Sequence, residues 1–150
     1  MSRQVLLARP HPFIVSEMKP WLEQGGYSVQ RPDNVSDLAS HARASVGAVI
    51  SLAVSSSITA GAADVLKIVR QANPSLPILF AALRPYAQIR PEIERLLQGL
   101  GIAGTVAGTD QGAGSPFLGG GRTFLYVSKD DLSDAARSSK ARTLLVKHFV

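Results

Sequence analysis

The sequence predicts a doubly wound α/β fold, three layers deep with a parallel five-stranded sheet in the middle, and three observations carry that reading. Apolar runs recur at Gln4–Ala8, Ala48–Val54, Pro77–Ala82 and Gly104–Ala107, without the polar alternation of a half-exposed strand, as expected of strands covered on both faces. Between them lie stretches with apolar residues at helical spacing, and alternating strands and helices build parallel sheets with right-handed crossovers. The chain has 150 residues and no cysteine, so one domain held by packing alone is expected.

The first unit is a strand at Gln4–Ala8, a proline-rich turn at Arg9–Pro12, and a helix from about Phe13 to Gln24. Ile14, Met18, Trp21 and Leu22 would face the sheet. Pro20 removes one backbone donor inside this helix and is expected to kink it. Gly25 and Gly26 suit a left-handed cap before the next strand, Tyr27–Gln30.

The second unit opens with Asn34 or Ser36 as N-cap and a short helix through Leu38 and Ala42. Val46–Val54 is rich in β-branched residues and reads as the central strand. Ser55, Ser56 and Ser57 lead into a helix from about Thr59 to Ala72, with Ser57 or Thr59 as its cap, and Pro77–Ala82 follows as another buried strand.

In the third unit, Ile89, Ile93, Leu96, Leu97 and Leu100 give the clearest amphipathic stripe, and Pro91 is expected in the first turn of that helix. Gly101 ends it, and Ile102–Ala107 can form a further strand. The rhythm then breaks at TDQGAGSPFLGGGR, residues 109–122, which reads as a glycine-rich insertion. Thr123–Val127 has high β-propensity, and Asp130–Phe149 reads as one closing helix with acids at its start and Lys140, Arg142 and Lys147 toward its end. The expected organisation is a core over 1–108, a loop over 109–122, and a final strand and helix over 123–150 that complete the same domain and lead toward an output domain.

The net charge is +5. Residues 122–150 carry six Lys/Arg against three Asp/Glu, and residues 1–121 carry ten against eight. This excess lacks the dense basic clustering and interleaved aromatics of a nucleic-acid surface, so Arg137, Lys140, Arg142 and Lys147 are read as a solvated helix face. The N-terminus has only a four-residue apolar stretch, too short for a signal sequence or a membrane span. A cytoplasmic protein is expected.

In open α/β sheets ligands bind at the carboxyl ends of the strands. Here that edge is lined by Arg9, Pro10, His11, Leu52, Ala53, Ala82 and Gly108, and none of the four runs ends in Asp or Glu.

VLLARPHPFIVSEMKPWLEQGGYSV at 5–29, GAVISLA at 47–53 and DVLKIVRQANPSLPILFAAL at 64–83 together resemble a response-regulator receiver domain of flavodoxin-like order. The resemblance implies that Arg9 and Pro10 stand where such domains keep an acidic, magnesium-holding pair. It also implies that Leu52 stands at the phosphate-accepting aspartate and Ala82 at the hydroxyl residue. The lysine position falls on Gly108 if Gly104–Ala107 is the fifth strand, or on Lys129 if Thr123–Val127 is; Val127-Ser128-Lys129 favours the second. Magnesium needs hard oxygen ligands, and a leucine side chain has no nucleophilic atom. The match is thus to a degenerate, pseudo-receiver pattern. YSVQRPDNVSDL at 27–38 followed by GAVISLA is similar, in addition, to the N-terminal wing domain of pyridoxal-phosphate-dependent basic amino-acid decarboxylases, which would make the chain an assembly module.

Other constellations are weaker. His11 beside two prolines reads as a turn residue, and His41 and His148 have no partner at metal-ligand spacing. No Gly-x-Ser-x-Gly elbow surrounds Ser55–Ser57. GAGSPFLGGGR lacks the Gly-Lys-Ser/Thr ending of a phosphate loop. It suits a docking loop with Phe117 and Leu118 as anchors, and Arg84, Pro85 and Tyr86 lie on the face that the resemblance assigns to partners.

The expectation is a non-enzymatic, phosphorylation-independent regulatory domain in signal transduction. It would bind a partner protein or its own copy, with no cofactor, metal, membrane, nucleic acid or small-molecule substrate. The alternative from another class is a nucleotide- or anion-binding enzyme domain using Arg9, His11, Arg84 and the glycine-rich loop.

Overall fold

A computed structural model of the chain describes residues 3–9, 14–31, 35–52, 61–84, 86–102, 104–108 and 123–149. They form one parallel sheet with helices on both faces. In chain order the elements are β1 (Arg3–Arg9), a π-helical turn (Ile14–Met18), α1 (Lys19–Gln24), β2 (Tyr27–Gln30), a 3-10 turn (Val35–Asp37), α2 (Leu38–Ala44) and β3 (Gly47–Ser51). They continue with α3 (Ala62–Ala72), β4 (Ile78–Ala82), α4 (Tyr86–Gly99), β5 (Thr105–Gly108), β6 (Thr123–Ser128), α5 (Lys129–Ser133) and α6 (Ala135–His148).

The strand order is β2-β1-β3-β4-β6-β5. The first five places reproduce the expected flavodoxin-like order, and a sixth strand is added at the edge. Both candidates for the fifth strand are therefore strands. Phe124, Leu125, Tyr126 and Val127 are buried and bulky, and the Phe124 ring stacks on Phe80 at 5.9 Å. That greasier segment takes the inner place beside β4, and the shorter β5 is left outside it.

Successive residues of each inner strand feed opposite layers, as a pleated strand requires. Leu6, Ala8, Ala48, Ile50, Ile78, Phe80, Phe124 and Tyr126 pack with Leu38, Val65, Leu66, Val69, Ile89, Ile93 and Leu97 of α2, α3 and α4. Val5, Leu7, Val49, Leu79, Ala81, Leu125 and Val127 pack with Trp21, Leu22, Leu144 and Leu145 of α1 and α6. Every side chain of β3 and β4 is buried, which is what their unbroken apolar character called for.

Several boundaries differ from the sequence reading. Pro20 lies in the first turn of α1, just after the π-helical turn, where its missing donor is least costly. Gly25 caps α1, and the left-handed residue is Gly26, φ +92°. Asp37, not Ser36, holds the N-cap position of α2 and makes no side-chain cap. Asn34, Ser55–Ser57 and Thr59 lie outside the described residues.

Helix α4 starts at Tyr86, so Pro91 sits inside it rather than in its first turn; burial of Ile89 on the same face as Ile93 extends the helix backward. Its far end is a Schellman turn, with the Ile102 amide bonded to Leu97 O at 2.9 Å and Gly101 at φ +68°. The closing helix is two helices. Asp134 breaks it because its carboxylate accepts from the Ala136 and Arg137 amides at 2.9 and 3.0 Å, and an Asp is worth more as a cap than in a helix interior.

Candidate functional site

The register brings the ends of four strands together. Ser51 pairs with Ala81, Ala82 pairs with Ser128, and Arg9 pairs with Ile50 after an irregularity that follows Leu7. Leu52, just past β3, Ala82, the last residue of β4, and Lys129, just past β6, therefore lie at one edge of the sheet. Because β6 adjoins β4, Lys129 and not Gly108 follows the strand next to Ala82. Pro10, His11, Ala53, Pro85, Phe117 and Leu118 lie outside the described residues.

The chemistry of this edge is that of packing. Leu52 is half-buried against the α2–α4 layer, its amide bonded to Ala81 O at 2.9 Å. Ala82 is 5% exposed and offers only a methyl group. Lys129 is exposed at the start of α5. Among the described residues no group of three or more His, Cys, Asp or Glu side chains could hold a metal ion.

Two polar arrangements beside this edge went unnoticed in the sequence. Ser128 and Asp131 form a reciprocal cap on α5: the Ser128 amide donates to the Asp131 carboxylate at 2.8 Å, and the Asp131 amide donates to Ser128 Oγ at 3.3 Å. Ser128-x-x-Asp131 is a legible capping box, and it starts the helix at Lys129, one residue ahead of the expected Asp130. Arg137 pairs with the buried Asp131 carboxylate from α6, so a carboxylate near the strand ends already has its cation.

The second arrangement fixes the turn after β4. Tyr126 Oη, reaching up from β6, donates to the backbone carbonyl of Arg84. The Arg84 side chain turns to Glu92 of α4 at 2.8 Å. Tyr86 stacks obliquely on Tyr126, ring centres 6.0 Å apart, and its hydroxyl donates to Val106 O of β5 at 2.9 Å. Burial, with the negative charge of Asp131 second, pushes the Tyr126 phenol above its ordinary pKa. Of the expected contact residues, Arg84 is exposed and Tyr86 is partly spent on holding β5. The neighbouring Leu83 is 52% exposed and was not singled out in the sequence.

No family model matches the chain, and no curated protein does. Among solved structures, the response regulator receiver domain protein from Clostridium thermocellum aligns over 95% of each chain at 12% identity, with a TM-score of 0.50. The response regulator receiver protein from Sinorhizobium medicae WSM419 aligns over 95% of each chain at 12% identity, with a TM-score of 0.49. The architecture is thus the receiver-like α/β fold. At this identity the likeness speaks for the fold alone, since one fold serves many functions.

Proposed function

We propose that this chain is a receiver-like regulatory domain of a signalling protein that acts by contact with another protein and not through an acyl-phosphate switch. The observation that carries this reading is Leu52. At the end of the central strand, where the fold presents its ligand edge, stands a half-buried leucine packed on the core, with the methyl group of Ala82 on the next strand. Neither group can attack a phosphoryl donor or enter the coordination shell of magnesium. Lys129 at the same edge then has no phosphoaspartate to meet.

The domain organisation belongs to the same reading: residues 123–150 complete the sheet and the α1/α6 layer of one regulatory module. It would work in the cytoplasm. No helix of the described residues is long and apolar enough to cross a membrane.

The test is to incubate the protein with magnesium and acetyl phosphate or beryllofluoride, and separately with nucleotides, following intact mass and melting temperature. Unchanged mass and melting temperature are expected throughout. A ligand present at a hundred times its dissociation constant adds about 2.7 kcal/mol, a shift that is readily seen. A stoichiometric phosphoryl adduct would overturn the proposal, and a clear shift with a nucleotide would move the function to the enzyme alternative.

A further inference from the structure

The geometry points to the outer face of α6 as the docking surface for an acidic, apolar-anchored helical segment of a partner protein. This rests on the contact-driven reading above and names its surface. Helix α6 reads AARSSKARTLLVKH: it holds Arg137, Lys140, Arg142 and Lys147 and no Asp or Glu. Its inner face is satisfied by Ala141, Leu144 and Leu145, which are buried on the sheet. On its outer side Ser139, Arg142, Thr143 and Val146 line an open hollow of about 400 Å³. These positions follow the i, i+3, i+4, i+7 spacing of one helical stripe, the pattern that receives another helix.

Two details mark this stripe as a receiving surface. Val146 is 39% exposed, one of two large apolar side chains exposed among the described residues. Arg142 is held in place, with its guanidinium 5.8 Å from the Trp21 ring centre and one Nη donating to Gln24 at 3.0 Å. The residue is part-buried, so the guanidinium charge still reaches the stripe, and a carboxylate is the acceptor such a group binds best.

The charge decides the partner class. A second copy laid along this stripe would set one acid-free cationic helix against another, which is repulsive. Nucleic acid would satisfy the charge but leave Val146 without an apolar partner, and no aromatic side chain on the stripe offers a base to stack on. A segment with leucines on one face and glutamates beside them satisfies both.

The experiment uses a synthetic helical peptide of that pattern, its binding to the full chain followed by fluorescence anisotropy and by amide chemical shifts. The expected result is saturable binding that weakens with salt, falls about tenfold or more in Val146→Glu and in Arg142→Gln, and is unchanged in Gln98→Ala on α4. Shift changes should concentrate on residues 139–146 and spare Leu52, Ala82 and Lys129. Val146 is exposed, so its variant tests the surface even where Arg142→Gln loses stability.

Absence of binding, or binding indifferent to both variants, overturns the proposal. So does equal binding of a shuffled peptide, tighter binding of duplex DNA on the same residues, or self-association that Val146→Glu abolishes. A peptide that fails leaves the contact-driven reading standing with another surface. An acyl phosphate at the strand ends would instead remove that reading and leave the peptide result to be judged separately.

Discussion

The ring of Phe149 fills the space where a side chain on Gly47 would begin: a Cβ built at Gly47 overlaps three carbons of that ring. The end of α6 is thereby docked on the amino end of the central strand. Tyr27 reinforces the joint, its hydroxyl donating to Phe149 O at 3.0 Å and its ring meeting the Phe149 ring edge-on at 6.2 Å. Gly47→Ala should lower the urea midpoint by an amount equivalent to about 1–3 kcal/mol, with the m-value unchanged. Pairing it with Phe149→Leu should recover part of the loss; additive effects in the double variant would show that the two residues do not press on each other.

His148, beside Phe149, should make stability depend on mildly acidic pH. Its ring is fully buried, and Nε2 donates to Ile78 O at 3.1 Å, since a carbonyl can only accept. Burial outweighs that hydrogen bond and holds the pKa down to about 4, from 6.5. Between those values the unfolded chain binds the proton and the folded one does not, so stability is full above pH 6.5 and is lost as pH falls toward 4. The loss is at most about 3 kcal/mol. Urea unfolding across this window should show a steeper fall for the wild type than for His148→Phe; parallel curves would refute the assignment.

Tyr126 should be silent in an alkaline titration. Of the three tyrosines in the chain, this phenol is pushed up by burial and by Asp131. Its ultraviolet ionisation signal should therefore appear only with alkaline unfolding. Tyr126→Phe should remove that late step and cost about 0.5–1.5 kcal/mol through the lost bond to the Arg84 carbonyl.

Adding one acid at the strand ends should not create a phosphorylation site. Leu52→Asp places a carboxylate at the central strand end, but Ala82 beside it supplies no hydroxyl. With acetyl phosphate and magnesium the variant should gain no phosphoryl mass. It should also lose about 1–3 kcal/mol, because a charged group replaces a leucine packed on the core. A stoichiometric adduct would show that the rest of the edge can form a site.

Asp134 separates α5 from α6 by capping the second helix, so Asp134→Ala should cost about 1 kcal/mol. Asp134→Asn or Asp134→Ser should retain most of the stability, since each keeps an acceptor. Equal loss in all three would mean that charge, and not the cap, holds the joint.

How much of this was legible follows from the range of each interaction. The buried strands β1, β3 and β4 were visible because burial on both faces leaves a local mark, an unbroken apolar run. Ala82 could be placed at a strand end because it closes such a run, whereas Leu52 lies inside the run Ala48–Val54 and was placed by the receiver resemblance. The split at Asp134 was missed although Ser128-x-x-Asp131 and Asp134 are both capping signals, because a loosely amphipathic stretch with acids first and bases last also fits a single helix. Tyr126 was missed because its function depends on a carbonyl forty-two positions earlier in the chain, and nothing near it in sequence announces that partner.

By itself the sequence determined the α/β class, the sidedness of the core helices and the absence of acids from the ends of the strands it recognised, since each depends on residue type and short-range spacing. Only the tertiary structure decided that Thr123–Ser128 and not Thr105–Gly108 lies against β4, that Lys129 therefore follows the strand beside Ala82, and that Gly47 is bare so that Phe149 can cover it. Strand order and helix docking are settled by hydrogen bonds and packing between distant segments. An apolar run states that it will be buried, but not against which neighbour.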